Sequence, residues 1–395
     1  LMSTDLLKGI KLWILVLLIS FASISAVLFV PSLPSLATDF GLTESTAQWS
    51  MTIFLIGYTV GQLPYGPIAN RWGRKKVIFI GLDLALVGTL LSVFATHFWL
   101  FCLGRLFQAL GAAVGLKISF TMIGDQHKGP SATKALSYVM LAFSIMPGIG
   151  IALGGFLTVG YGWRGCFAFL SIYTLLLSFL CRLLPETAKS IDKEALLPRK
   201  IVQGLHRSFK DPLLILHALL MGLGTSFVYV FATAAPYLGI EQIGLSPDVY
   251  GLWNLLPSIG MGIGLLISAQ LATRVVPRIG MMSGILLSLI GIIALNLLFA
   301  GNFLSAATLF VPTMLIQIGS GISYSGASGK AVSEITDKSN GSAVLSFVNM
   351  AVATVAVSAM SIVMPISALG LGGIFALLIV MQVGVWLALK SHRVR

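Results

Sequence analysis

Three ionisable residues lie inside long apolar runs of the sequence: Asp83, Arg105 and Lys117. An isolated charge in hydrocarbon costs several kcal/mol, so such residues pair, face water, or handle protons and charged solutes. Asp83 follows Arg74, and Lys117 precedes Asp125, by distances that correspond to about 12–14 Å of helix. We hypothesise that Asp83 and Lys117 face each other or a shared cavity. A static ion pair, or snorkelling of Lys117 toward the membrane surface, would explain the same charges.

The sequence lacks the motifs of enzymatic and metal chemistry. The nearest approach to a phosphate-binding loop has Tyr324 in place of its first glycine and Ala331 in place of the magnesium-binding hydroxyl. The three cysteines have neither CxxC nor Cys/His spacing, and we interpret them as packing residues. We therefore expect a protein that is not an enzyme and that holds no metal or other cofactor.

The elements that must position these charges are transmembrane helices. Only 10% of the 395 residues are charged and 57% are apolar, whereas a soluble domain has about a quarter charged residues. Continuous apolar runs, rather than ten-residue alternating segments, indicate helices and not a β-barrel. We predict an all-α membrane protein with twelve transmembrane helices, at 12–36, 47–69, 75–96, 99–122, 134–157, 164–184, 213–237, 249–272, 279–300, 304–329, 341–364 and 367–389.

The positive charge of the chain is distributed asymmetrically across this topology. If both termini are cytoplasmic, 22 of the 25 Lys and Arg residues fall on the cytoplasmic side, as the positive-inside rule requires. The net charge of +12 is then an orientation signal and not a nucleic-acid interface. We predict a multi-pass protein of the cell inner membrane with both termini in the cytoplasm.

The longest polar stretch divides the chain into two halves of six helices. We predict an N-terminal half at 1–185, a cytoplasmic linker at 186–211 and a C-terminal half at 212–395. The segment Ile68–Arg71 after helix 2 is echoed by Leu271–Arg274 after helix 8, at the equivalent place in the second half. Two such halves are the layout of many secondary transporters, which bind their substrate between the halves.

The loop between predicted helices 2 and 3 carries a motif made of Gly66, Asn70, Arg71, Gly73, Arg74 and Lys75. With this motif, the chain resembles the major facilitator superfamily, and within it the twelve-helix drug/proton antiporters of the bicyclomycin- and chloramphenicol-resistance type. The family motif usually has an acid where this chain has Asn70, which cannot supply the negative charge that favours a helix N-terminus. We therefore expect a weaker cytoplasmic latch.

Two further motifs extend the resemblance over nearly the whole chain. The helix 4 motif contains Arg105 and Gln108, and the resemblance implies a coupling or substrate role for Arg105, with purely structural hydrogen bonding as the alternative. The helix 5 motif of antiporters contains Pro147, Gly150, Gly154 and Gly155. Gly150 and Gly154 share one helix face and permit close approach of a neighbouring helix, which supports packing with or without antiport.

The resemblance also exposes a missing residue. Family members commonly carry a protonatable Asp in helix 1, where this chain has Val27. We therefore hypothesise that Asp83 replaces it as the proton carrier, with Arg105 as a second coupling candidate. Lys117 is predicted to line the cavity, which would favour anionic substrates. The weaker candidates for the cavity are Tyr58, Tyr229, Trp253 and Asn254.

The resemblance implies a monomeric secondary transporter that exports small organic molecules or drugs by proton antiport and alternating access. The alternative is a transporter of the same fold dedicated to one metabolite, such as a siderophore, an amino acid or another organic anion. The expected partners are the substrate, protons and the lipid bilayer, and no nucleic acid.

Overall fold

The predicted all-α membrane fold is confirmed. The computed structural model describes residues 11–127, 130–188, 191–192, 194–271, 274–334, 338–363 and 367–392, and this part is nearly all helical, without β-strands. Its helices are α1 Leu12–Val27, α2 Leu33–Phe40, α3 Glu44–Gly61, α4 Tyr65–Trp72, α5 Arg74–Val93, α6 Phe98–Ala112, α7 Val114–Gln126, α8 Pro130–Cys181, α9 Pro198–Phe209, α10 Pro212–Pro236, α11 Pro247–Trp253, α12 Leu255–Leu271, α13 Pro277–Ala300, α14 Ala306–Glu334, α15 Lys338–Val363 and α16 Ala368–His392.

Within the described residues, ten helical stretches are long and apolar enough to cross a membrane. Two of the twelve predicted spans fall together in one of these stretches, Ser144–Cys181. Gly162 interrupts α8 there with a φ of 66°, a backbone angle that glycine adopts without steric cost. The span predicted at 47–69 corresponds largely to α3, whose first half is polar. The merging of two predicted spans in α8 and the polar first half of α3 explain why ten apolar stretches are found where twelve spans were predicted.

Prolines interrupt several helices near the middle of the bundle. α1 ends at Val27, and a 3₁₀ turn with Pro31 follows it at Val30–Ser32. Pro31 has no N–H to donate to the carbonyl of Val27, so the helix cannot continue regularly. The break at Asn254 between α11 and α12 likewise precedes Pro257. These breaks leave backbone carbonyls near the centre of the protein that need other partners.

The helices form two groups, α1–α8 and α10–α16, that meet along two seams. In one seam α8 packs against α11 and α12, and in the other α3 packs against α15. Thr59 contacts Thr354 through their hydroxyls at 3.1 Å in the second seam. α9 lies in the segment between the groups and packs on α15, where Phe209 meets Phe347 edge to face.

The two ends of the bundle differ in charge. We call the end with α4, α9 and the start of α5 the basic end, because it carries Arg71, Arg74 and Lys75. The end with the start of α3 is called the opposite end. There the indole N–H of Trp163 donates to Asp39 at 2.8 Å, and Ser361 donates to Gln48 across the α3–α15 seam at 2.9 Å.

Candidate functional site

A central cavity lies between the two helix groups. Helices α1 and α8 supply one wall, and α10, α12, α14 and α15 supply the other, with the break before α12. Its lining residues are Ser23, Val27, Ser144, Pro147, Ile151, Thr225, Val228, Tyr229, Phe231, Ala232, Asn254, Pro257, Ser258, Met261, Leu265, Gln317, Tyr324 and Met350.

The described part of the lining of this cavity is uncharged. None of the lining residues that the structure describes is Asp, Glu, Lys, Arg or His, and apolar side chains make up much of the wall. Val27, which stands in place of the acid usual in family members, is itself part of the lining. Recognition in such a site depends on shape and on a few hydrogen bonds, rather than on attraction between opposite charges.

Polar groups from the second helix group converge on the cavity. Gln317 and Tyr324 both lie on α14 and both line the cavity, and the buried Gln317 Oε1 atom has no hydrogen-bond partner among the described residues. Asn254 donates to the hydroxyl of Tyr250 at 3.2 Å. A buried polar atom without a partner carries a desolvation cost of about 1–3 kcal/mol, and a bound polar ligand would remove that cost at Gln317.

The structure separates the four weaker cavity candidates. Tyr229 and Asn254 line the cavity. Tyr58 is buried on α3, stacks on Phe54 at 6.3 Å between ring centroids, and is absent from the lining. Trp253 stacks on Phe310 at 5.9 Å and is absent from the lining.

Gln317 and Tyr324 were not singled out from the sequence as cavity residues. Their separation of seven residues places them on the same face of a helix. That spacing of two polar side chains in an apolar run is the signal that indicates them.

Arg105 is fully buried within the first helix group. Its guanidinium donates to the carbonyl oxygens of Ser25 at 2.7 Å and Ala26 at 3.2 Å, and to the side chain of Gln108 at 2.6 Å. These carbonyls belong to the last turn of α1, where the helix breaks, so Arg105 satisfies acceptors that have lost their helical donors. Gln108, which lies on the same helix α6, orients the guanidinium by accepting one of its hydrogen bonds.

Aromatic rings enclose the same guanidinium. Its central carbon lies 4.1 Å from the ring centroid of Phe54, 4.4 Å from that of Phe29 and 5.6 Å from that of Phe167. Cation–π attraction stabilises a charge most where water is excluded. The contacts are those of a structural anchor for the broken end of α1, and Arg105 does not line the cavity.

The hypothesis that Asp83 and Lys117 face each other or a shared cavity is wrong. Asp83 is exposed on the outer face of α5, in one stripe with Ile80 and Val87, and it forms no ion pair with any described residue. Lys117 donates to the hydroxyl of Ser342 on α15 at 2.8 Å and does not line the central cavity. The position of a charge along its helix does not specify which way its side chain points around that helix.

The loop motif builds a network at the basic end. Gly66, Asn70 and Arg71 lie on α4, and Gly73 joins α4 to α5 with a φ of 90°. The Arg74 guanidinium donates to Asp125 at 3.1 Å and to the carbonyl of Ala69 at 2.9 Å. These bonds hold α4, α5 and α7 together.

A carboxylate from the interhelical segment completes this network. Glu186 accepts the backbone N–H groups of Arg74 and Lys75, each at 3.0 Å, and so caps the N-terminus of α5. The backbone carbonyl oxygen of Asn70 also bonds to the interhelical segment, because it accepts the backbone N–H of Asp192 at 3.1 Å. Sequence reasoning missed Glu186, because 112 residues separate it from Arg74.

Substitution Glu186→Gln is expected to lower stability modestly and to remove one pH dependence. Burial opposes ionisation of Glu186, but the backbone N–H groups that donate to it lower its pKa below the ordinary value. A lowered pKa in the folded state means that the stabilisation is present above pH about 4.5 and is lost as the pH falls through the folded-state pKa. Because the site is exposed, we expect a loss under about 1 kcal/mol. Thermal unfolding at pH 7 and pH 4 of the unmodified protein and Glu186→Gln measures both effects; equal pH dependence in the two proteins would contradict the assignment.

The glycines of the helix 5 motif make three different contacts. A Cβ on Gly150 would meet Ile24 at 3.5 Å, which is ordinary contact. A Cβ on Gly154 would overlap the carbonyl oxygen of Leu28, next to the break in α1. A Cβ on Gly155 would overlap the carbonyl oxygen of Pro247, which belongs to the other helix group. Pro147 of the same motif lines the cavity.

Comparison with known proteins decides the family. A sequence model described as Major Facilitator Superfamily matches residues 14–360. The chain belongs to the major facilitator superfamily. This membership confirms the resemblance drawn from the motifs and the prediction of a membrane transporter that is not an enzyme.

Individual members of the superfamily show how far the similarity extends. An uncharacterized transporter of Rickettsia felis is 28% identical over 328 residues, which is 80% of each chain. A chloramphenicol resistance protein of Pseudomonas aeruginosa is 28% identical over 267 residues, covering 66% of this chain and 60% of that protein. The solved D-xylose-proton symporter superposes with a TM-score of 0.75 at 16% identity, over 94% of this chain and 96% of that one. The last similarity is one of fold alone.

Proposed function

We propose that this major facilitator exports small, uncharged organic molecules by alternating access of the central cavity. The observation that carries the proposal is the described lining, in which no residue is charged at neutral pH and Tyr229, Asn254, Gln317 and Tyr324 lie among apolar walls. An ionic substrate would leave its water shell there without a countercharge, at a cost of several kcal/mol. A neutral molecule with a few hydrogen-bonding groups avoids that cost.

Export, rather than uptake, is proposed from similarity to the chloramphenicol resistance protein. The alternative of a transporter for an organic anion loses its main support, because Lys117 bonds to Ser342 and not to the cavity. We keep the predicted location in the inner membrane, with cytoplasmic termini and a monomeric state, as part of the proposal. The basic end is then the cytoplasmic end.

Transport assays in proteoliposomes test the class of substrate. We expect saturable flux of chloramphenicol, a neutral probe, and weak competition by lipophilic ions such as tetraphenylphosphonium or a carboxylated dye. Gln317→Leu is expected to raise the half-saturation concentration about fivefold, the effect of losing one hydrogen bond of about 1 kcal/mol. Gln382→Leu is the matched control, because Gln382 is a buried glutamine with an unpaired Oε1 outside the cavity lining. If the carboxylated dye competes strongly, and if this competition is lost in Lys117→Gln, the result would support a dedicated anion transporter instead.

Proton antiport was predicted from the resemblance, and the cavity offers it no carboxylate. We therefore propose that flux follows the substrate gradient and changes little when a pH gradient is imposed.

Val27→Asp is expected to introduce a pH-gradient dependence, because it places an ionisable group in the lining at the position where family members carry one. Val27→Asn, of the same size but unable to ionise, is the control. A strong gradient response of the unmodified protein that disappears in Asp83→Asn would instead establish antiport through Asp83.

A further inference from the structure

A second cavity lies at the basic end, within the second helix group. It is formed where α10, α13, α14 and α16 come together, and it is distinct from the central cavity. Its lining includes the cationic or titratable residues Arg278, Lys330 and His217 and the apolar residues Val276 and Met281. None of the lining residues that the structure describes is acidic. This composition is that of a site for an anion that also has an apolar part.

The cationic residues of this cavity are held in place by their neighbours. The guanidinium of Arg278 lies over the indole of Trp386, with 5.4 Å between its central carbon and the ring centroid. The indole N–H donates to the carbonyl oxygen of Arg278 at 3.4 Å. His217 is 2% exposed, and its Nδ1 lies 2.7 Å from the carbonyl oxygen of Leu213, which fixes the orientation of the ring.

The backbone adds to the positive potential. α13 begins at Pro277, which is part of the cavity lining. The N-terminus of a helix carries a partial positive charge and favours anions placed beside it. Side chains and helix dipole therefore act in the same sense on a ligand in this cavity.

Part of the cavity lining lies at the protein surface, and we call this part the mouth. Val276 of the lining and the nearby Ile279 are exposed, at 62% and 59%. In a membrane protein, apolar side chains on this surface face lipid tails, and the basic residues lie at the depth of the headgroups. A phospholipid placed here would present its phosphate to Arg278 and Lys330 and its acyl chains to the apolar surface.

We propose that this cavity binds the phosphate headgroup of an anionic phospholipid. Basic pockets between transmembrane helices at the cytoplasmic level recognise such headgroups, with about 1 kcal/mol from each nearby cation. A free phosphate ion would satisfy the cationic residues but would leave the apolar mouth without a partner. The site is separate from the central cavity and does not depend on the substrate proposed above.

Native mass spectrometry of the detergent-purified protein tests the proposal. The unmodified protein is titrated with phosphatidylglycerol, with phosphatidylcholine as the uncharged lipid control, and with sodium phosphate as the free-ion control. We expect one molecule of phosphatidylglycerol to be retained at concentrations where phosphatidylcholine is not. Retention is expected to fall about tenfold or more in Arg278→Gln/Lys330→Gln. The matched variant Arg199→Gln/Arg207→Gln removes two exposed cations of α9 at the same end and should retain the lipid.

Three outcomes would overturn the proposal. Equal retention of the two lipids by the unmodified protein would show that the headgroup charge is not recognised. Equal loss in both double variants would show that only the total charge of the basic end matters. Displacement of phosphatidylglycerol by millimolar sodium phosphate, without preference for the lipid, would assign the cavity to a free anion. The comparison of lipids on the unmodified protein remains decisive even if the double variant does not fold.

Discussion

Alanine substitutions at Gly150, Gly154 and Gly155 are expected to give three different results. Gly150→Ala should be tolerated, because the added methyl meets Ile24 at 3.5 Å. Gly154→Ala should destabilise the first helix group strongly, because the methyl would overlap the backbone of Leu28, which cannot move without shifting α1. Overpacking of this kind costs typically about 1–3 kcal/mol, and we expect the upper part of that range.

Gly155→Ala should change the conformational equilibrium more than the stability. Its methyl would overlap the carbonyl oxygen of Pro247 across the seam between the helix groups, so it opposes closure of the opposite end without disturbing the packing of either group. A penalty of about 1.4 kcal/mol would shift the ratio of open to closed forms tenfold.

Thermal unfolding and cysteine accessibility measure these effects separately. In a background without the three native cysteines, Ser361→Cys places a thiol in the α3–α15 seam at the opposite end, where Ser361 bonds to Gln48. We expect faster maleimide labelling of this thiol in Gly155→Ala and an unchanged rate in Gly150→Ala. If Gly150→Ala lowers the melting temperature as much as Gly154→Ala does, the contacts with Ile24 and Leu28 do not determine the loss of stability.

Arg105→Lys is expected to be strongly destabilising although it keeps the positive charge. A single ammonium group cannot donate to Ser25, Ala26 and Gln108 in the planar geometry of the guanidinium. Each buried carbonyl left without a donor costs about 1–3 kcal/mol, so we expect a total loss of about 2–5 kcal/mol and an apparent melting temperature lower by several degrees. The stacked contacts with Phe29 and Phe54 would weaken as well.

Arg164→Lys provides the control for Arg105→Lys. The Arg164 guanidinium also lies over an aromatic ring, that of Trp163 at 4.1 Å, but its side chain is half exposed. Water can replace the contacts of a half-exposed side chain, so this substitution should cost much less than Arg105→Lys. A stable Arg105→Lys protein that binds substrate but does not transport it would show a role for Arg105 in coupling, as the resemblance implied, rather than in anchoring α1.

Composition and motifs were sufficient to predict the membrane fold and its family. The apolar runs gave the helices because a bilayer leaves few alternatives to the helix. Motif glycines such as Gly154 indicated close packing because few other residues permit it. Their individual partners could not be predicted, since Gly150 and Gly154 share one helix face and only the structure distinguishes a side-chain neighbour from a backbone one.

The sequence predicts a depth for each embedded charge but not the direction in which its side chain points. Asp83 points outward with Ile80 and Val87, and the spacing of these three residues by three and four positions indicates one face of the helix. Nothing in the local sequence says whether that face meets lipid or protein. Glu186 illustrates a second limit, because its partners at the start of α5 are distant in sequence and become neighbours only after α5 and α8 have packed together.

The uncharged lining of the central cavity has an electrical consequence. An elementary charge that crosses the membrane gains or loses about 2.3 kcal/mol per 100 mV of potential. A neutral molecule carried in a cavity whose side chains are neutral at physiological pH takes no charge with it, so each cycle of the proposed exporter would be electrically silent. Its direction and rate would then be indifferent to the membrane voltage, and the cell could depolarise without reversing the flow.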